Sequence, residues 1–111
     1  MTIDKDKACA EMKQFHYMNA YIDDDFTDGT IRFISYNSAI LDILDDTLTF
    51  YKRWNYSSST KRQLTRFLSE KLNKHVSIYK LRECEKQFTK TGKAMLHGYS
   101  VTFSDNQPMY Y

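Results

Sequence analysis

Arg82, Lys86 and Lys90 recur at i, i+4 and i+8 with Tyr79 on the same side, so a helix through them presents three cations in a row. Like charges at that spacing weaken an isolated helix by roughly 0.2–0.5 kcal/mol per pair. Charge kept at such a cost suits an anionic partner, and phosphate is the usual one. A second group lies earlier in the chain. On a helical projection Arg62, Thr65, Arg66, Ser69 and Asn73 fall opposite a leucine stripe. That donor-rich face lacks acids and runs about 16 Å at a rise of ~1.5 Å per residue. The candidate partner-binding residues are therefore Arg62, Arg66, Tyr79, Arg82, Lys86 and Lys90. A solvated basic face, or a contact with protein, is the competing reading, because Glu83 and Glu85 dilute the field.

The opposite charge gathers in "DDDFTDG", where Asp23, Asp24, Asp25 and Asp28 form an alternative acidic surface. As a calcium loop it fails. With Gly29 as the central glycine, Asp24 and Asp28 take the first and fifth positions, but Phe26 falls at the third and Ser35 at the twelfth, where oxygen ligands and a bidentate Glu are required. His16, His75 and His97 show no HxxxH or HExxH spacing, and Cys9 and Cys84 have no CxxC partner. There is no Gly-rich phosphate loop and no GxSxG. Cys84, between Arg82 and Lys86, has neighbours that could lower a thiol pKa, yet it lies on the apolar stripe of its helix, where thiols are inert. No metal, no cofactor and no catalytic group are expected.

Stretches that could carry these groups read as follows. Asp4 and Asp6 precede Ala8, Met12 and Phe15, a helical spacing over residues 4 to 16. Residues 16 to 36 read as two strands about the acidic turn, and residues 38 to 51 as a hairpin turning at Asp45-Asp46. Ser58, Ser59 and Thr60 can cap a helix whose apolar stripe is Leu64, Phe67, Leu68 and Leu72. Glu70 and Lys74 are spaced to pair on its flank. Ser77 can cap a second helix, with Ile78, Leu81, Cys84 and Phe88 inward and Gly92 as its stop. "AMLHGYSVTF" reads as one closing strand and "SDNQPMYY" as a tail. The order makes a single α+β domain over 1–111. Its expected sheet is mainly antiparallel with four to five strands, an N-terminal helix, and the basic helical pair before the last strand.

Charge is divided along the chain. Residues 1–50 carry ten acids against Lys5, Lys7, Lys13 and Arg32, a net of −6, whereas residues 51–111 carry twelve Lys/Arg against four acids, a net of +8. Such division suits a polarised surface, or two halves that neutralise each other on folding. No apolar stretch approaches the ~20 residues that cross a bilayer, so no membrane role is expected. The N-terminus has no apolar signal core, and a cytoplasmic location is the expectation. If the helical pair were a helix-turn-helix, Tyr79, Lys80, Arg82 and Glu83 would meet the bases. Only Arg82 among them is a good base reader, and the turn lacks the usual Gly. Backbone attachment is favoured over sequence readout.

Two separated segments, "FISYNSAI" (33–40) and "YSSSTKRQLTRFL" (56–68), resemble motifs of small uncharacterised phage and plasmid proteins of Gram-positive bacteria. That family's pattern is SY-x-T-x-I followed by Y-S-x-T-T-S-K-H-L-x-x-F-L. Ser35, Tyr36 and Ile40 fit the first motif, with Ser38 in the Thr place. Tyr56, Ser57, Thr60, Leu64, Phe67 and Leu68 fit the second, with Ser59 for Thr and Arg62 for Lys. Lys61 and Gln63 replace the family's Ser and His. The resemblance implies a mobile-element accessory protein and brings no activity with it.

The leading expectation is a non-enzymatic binding protein whose partner is nucleic acid or a nucleic-acid-processing protein, held at the basic helices. The alternative is an inhibitor of a host defence nuclease, of anti-CRISPR or anti-restriction type, acting by protein–protein contact. There the acidic turn would mimic phosphate, or Tyr and Phe side chains would act as anchors. The aromatic tail at Tyr110-Tyr111 suits either a homodimer contact or packing on its own sheet.

Overall fold

The computed structural model describes residues 12–110. Within them the chain forms β1 (Lys13–Gln14), β2 (Ala20–Asp23), β3 (Ile31–Ser35), β4 (Ser38–Leu44) and β5 (Thr47–Phe50). Then come α1 (Ser58–Leu72), α2 (Ile78–Thr91), β6 (Ala94–Leu96) and β7 (Tyr99–Phe103). The strands make one sheet in the order β1-β2-β3-β4-β5-β7-β6. All neighbours are antiparallel except β5 and β7, which run parallel with Leu48 beside Val101. A parallel pair needs a long crossover, and α1, α2 and β6 supply it.

The fold is thus α+β, with three corrections to the expectation. The sheet has seven strands among the described residues and is mixed, because the crossover returns β7 parallel to β5. The segment expected as one closing strand is a hairpin. His97 (φ 48°) and Gly98 (φ 87°) both take positive φ, as a tight two-residue hairpin turn demands. Both helices lie between β5 and β6. Of the helix expected over 4 to 16, Lys13–Gln14 pairs with β2 as a strand, and His16 and Tyr17 turn with positive φ. Residues 4–11 of that range lie outside the described residues, as does Tyr111.

Alternation along the strands explains the layers. Phe33, Leu41, Ile43, Leu48, Phe50 and Val101 project to the face that α1 and α2 cover and form the main core with Leu64, Phe67, Leu68 and Leu81. A register shift at Phe33/Ile34 opposes Phe33 with Leu41 but Ile34 with Ala39, so Ile40 joins its neighbour Leu41 in that core. On the other face Ile34 and Ala39 are sealed by Tyr110, which is buried; the tail packs on its own sheet. Arg32 donates to both carboxylate oxygens of Asp42 at 2.8 and 3.0 Å, and Tyr51 donates to the same carboxylate. Tyr110 in turn donates to Asp23 at 2.9 Å. Burial, the largest single influence, opposes the Arg32 charge, and the hydrogen bonds and charge of Asp42 together with Tyr110 more than offset it, holding the guanidinium firmly protonated.

Register also sorts the two ends of the sheet. Asp23 pairs with Arg32, Ile31 with Ile43, Leu44 with Thr47 and Thr47 with Ser100. The acidic β2–β3 connection, the Asp45-Asp46 turn and the His97-Gly98 turn therefore share one end. The Tyr36-Asn37 turn lies at the other end.

Candidate functional site

The helical layer is built by its caps. Ser57, rather than the three residues after it, caps α1 by accepting from Thr60 N at 3.1 Å. From there α1 buries Thr60, Gln63, Leu64, Phe67 and Leu68, with Phe67 stacked on Phe33 at 4.4 Å between centroids. Arg62 and Arg66 face outward. The helix ends at Asn73 (φ 53°), which takes the left-handed position a glycine more often fills. Ser69 Oγ accepts from Val76 N at 2.9 Å. Ser69 and Asn73 therefore build the α1–α2 connection instead of extending the donor face. Ser77 caps α2 through Lys80 N, and Gly92 (φ 78°) closes it, both as expected. Leu81 and Cys84 turn inward, while Tyr79, Arg82, Lys86 and Lys90 are exposed. Both helices pack on the same sheet face, so their outward sides form one surface.

That surface is basic in composition and in pairing. Residues 58–91 hold nine Lys/Arg against Glu70, Glu83 and Glu85. Glu70 does not serve Lys74; it lies 2.8 Å from His16 Nε2 and 3.3 Å from Arg66 Nε, and these contacts hold its carboxyl below the usual range. Glu85 is half-buried and accepts from the Trp54 indole at 3.3 Å, which turns it away from the cation ladder. Glu83 stays exposed and, as a hydrogen-bond partner, pushes the Tyr79 phenol up. Of the five candidate cations, Arg66 alone is ion-paired among the described residues; Arg62, Arg82, Lys86 and Lys90 are not.

The acidic connection spends most of its charge on its own fold. Asp23 holds Tyr110, Asp24 lies 3.0 Å from Lys13, and Asp28 accepts from Thr30 N at 2.9 Å. The hydrogen bonds from Lys13 and Thr30 lower the pKa values of Asp24 and Asp28 respectively. Cys84 is buried, its thiol donating to Met95 O at 3.7 Å, and burial pushes its pKa up, away from nucleophilic use. No three His, Cys, Asp or Glu side chains converge among the described residues.

A cleft of about 390 Å³ opens where the β3–β4 turn meets the start of α1, and nothing in the periodicity of the sequence marked it. Its walls include Ser35, Tyr36, Ser38, Arg53, Tyr56 and Ser59. Segments 33–40 and 56–68 thus meet face to face. Tyr36 sits at φ 58°, a rare place for an aromatic residue, and its N–H donates to Asn19 O at 2.7 Å. Below it runs a chain of hydroxyls. Ser57 Oγ donates to Thr60 Oγ1 at 3.1 Å, Ser35 and Thr60 oxygens lie 2.9 Å apart, and Ser35 donates to Gln63 Oε1 at 2.7 Å. Ser35 has one proton, given to Gln63, so Thr60 must donate to Ser35. Arg53 lies over the Tyr56 ring at 5.0 Å and reaches Ser38 Oγ at 3.5 Å. Its backbone N–H is held by Gln107 Oε1 at 2.7 Å. The available signal was the density of hydroxyls in "SYNS" and "YSSST", of which Ser58, Ser59 and Thr60 were expected as helix caps.

No family model, no curated protein and no solved structure matches the chain.

Proposed function

We propose that this chain is a non-enzymatic binding protein of a phage or other mobile element that engages nucleic acid, free or held on an enzyme, through the outer surface of α1 and α2. The observation that carries this reading is the set Arg62, Arg82, Lys86 and Lys90. They are four exposed cations on one helical layer, without a carboxylate partner among the described residues. Arg82 to Lys90 spans about 12 Å at ~1.5 Å per residue, enough to follow successive phosphates of a strand. Tyr79 adds an exposed ring at the start of the ladder, on which a base can stack. The mobile-element origin rests on the resemblance of segments 33–40 and 56–68. An inhibitor presenting Asp23, Asp24, Asp25 and Asp28 as a phosphate mimic has less support, since three of those carboxylates are engaged within the fold.

Titration of labelled single- and double-stranded DNA and RNA tests this. Four phosphate contacts give a loss of affinity on the order of 10²-fold between about 50 and 200 mM salt. Arg82→Glu with Lys86→Glu abolishes binding and leaves the unfolding midpoint in place. Absence of binding at the lower salt would sink the proposal.

A further inference from the structure

We infer that the cleft between the β3–β4 turn and the start of α1 binds a nucleotide, its phosphate on Arg53 and its base against the rings of Tyr36 and Tyr56. The site does not depend on the basic helical surface. At about 390 Å³ the cleft falls at the lower end of the size range of small-ligand pockets. No acid lines it, and Arg53 has no carboxylate partner among the described residues, so the charge in the cleft is positive. The Arg53 side chain is held only by a ring face and one long contact to Ser38 Oγ. Most of its N–H fork is free for a phosphate, which it can take bidentately.

Aromatic exposure supplies the second half of the ligand. Tyr56 is 71% exposed and Tyr36 51%, although the main core buries aromatic rings efficiently elsewhere. Arg53 covers one side of Tyr56, and a guanidinium-backed ring is a good stacking platform for a base, whatever its identity. Ser59 offers a hydroxyl to the sugar–phosphate edge, whereas Ser35 and Thr60 are already committed to the chain that ends at Gln63, and Ser38 to Met109 and Arg53. A bare anion would leave the tyrosines unused, and a bare aromatic ring would leave Arg53 unused. The nucleotide has two sources, a free mononucleotide or one unit of a strand, and the probes separate them.

Calorimetric titrations with AMP, adenosine, inorganic phosphate, O-phosphotyrosine and an adenylate pentamer test the site. AMP binds, and adenosine and phosphate each bind at least about tenfold more weakly, ~1.4 kcal/mol. Arg53→Gln and Tyr56→Ala each weaken AMP binding by about tenfold or more at an unchanged unfolding midpoint, since both act on the cleft wall. Arg82→Glu with Lys86→Glu leaves AMP binding intact, which separates this site from the helical surface. A pentamer that binds more tightly than AMP and loses that gain in the helix variant identifies a strand; a pentamer equal to AMP identifies a free nucleotide. No saturation by millimolar AMP, phosphate binding as tightly as AMP, or O-phosphotyrosine binding more tightly would overturn the inference. So would AMP affinity that ignores Arg53→Gln and Tyr56→Ala.

Discussion

Gln63 of α1 accepts the Ser35 hydroxyl proton of β3 at 2.7 Å, and this bond ends a one-way chain that starts at the helix cap Ser57. Both residues are buried, Gln63 at 3% and Ser35 at 2% exposure, so neither can turn to water if the other is removed. Leaving a buried donor unpaired costs about 1–3 kcal/mol. Gln63→Ala is therefore expected to lower unfolding free energy by about that amount, and Ser35→Ala similarly. Urea unfolding of both single variants and the double variant checks it. The double variant should lose clearly less than the sum, because the two changes break one shared bond. Strict additivity would show that the chain does not act as a unit.

Tyr51 and Tyr110 anchor the opposite sheet face, and their phenols are pushed up to about 12 from the ordinary 10, first by burial. Asp42 adds to the rise at Tyr51, and Asp23 adds to it at Tyr110 against the pull of Arg32. A folded pKa above the unfolded one means that the folded state holds the proton more tightly. The stability linked to these two groups is fully present below pH 10 and is lost as pH rises through about 12. Denaturant unfolding across that window should show the fall, and Tyr51→Phe or Tyr110→Phe should flatten it. Each variant gives up a hydrogen bond to a carboxylate, so each starts lower at neutral pH by about 1.5–3 kcal/mol. An alkaline fall of unchanged steepness in both variants would remove these phenols as its cause.

Legibility followed the kind of signal each element carries. Leu64, Phe67 and Leu68 repeat with the helical period, and Leu48 and Phe50 alternate, so α1 and the β4–β5 hairpin could be read locally. The His97-Gly98 turn carried its signal in one glycine inside an apolar run, too little to outweigh the run itself. The parallel β5–β7 pairing joins Thr47 to Ser100, a long-range fact that no local pattern encodes. At the site, the exposed cations were legible because an amphipathic helix fixes which side faces water. The cleft was not, because it needs Ser35, Arg53 and Ser59 brought together and Arg53 held by Gln107 of the tail. Thr60 and Gln63 were missed for a related reason: they extend the buried stripe of α1 by one turn with polar side chains.

Reversal of the acidic connection separates the two readings of how this chain meets a partner. Asp24→Lys with Asp25→Lys removes two negative charges and adds two positive ones, raising the formal net charge of +2. Asp24 loses its contact with Lys13, but that pair is exposed on both sides, and such pairs contribute little to stability. The fold should survive. If the basic helices hold nucleic acid, the reversal leaves affinity unchanged or raises it modestly, because it adds positive charge near α1, where Asp24 already feels Lys71, but outside the ladder itself, and salt screens exposed charge. Arg82→Glu with Lys86→Glu, placed in the ladder itself, must act far more strongly. If the acidic connection is instead a phosphate mimic, the order inverts: the aspartate variant loses its protein partner and the ladder variant keeps it. Titrating both variants against the same labelled nucleic acid, and against any protein captured by the native chain, gives opposite rankings for the two readings.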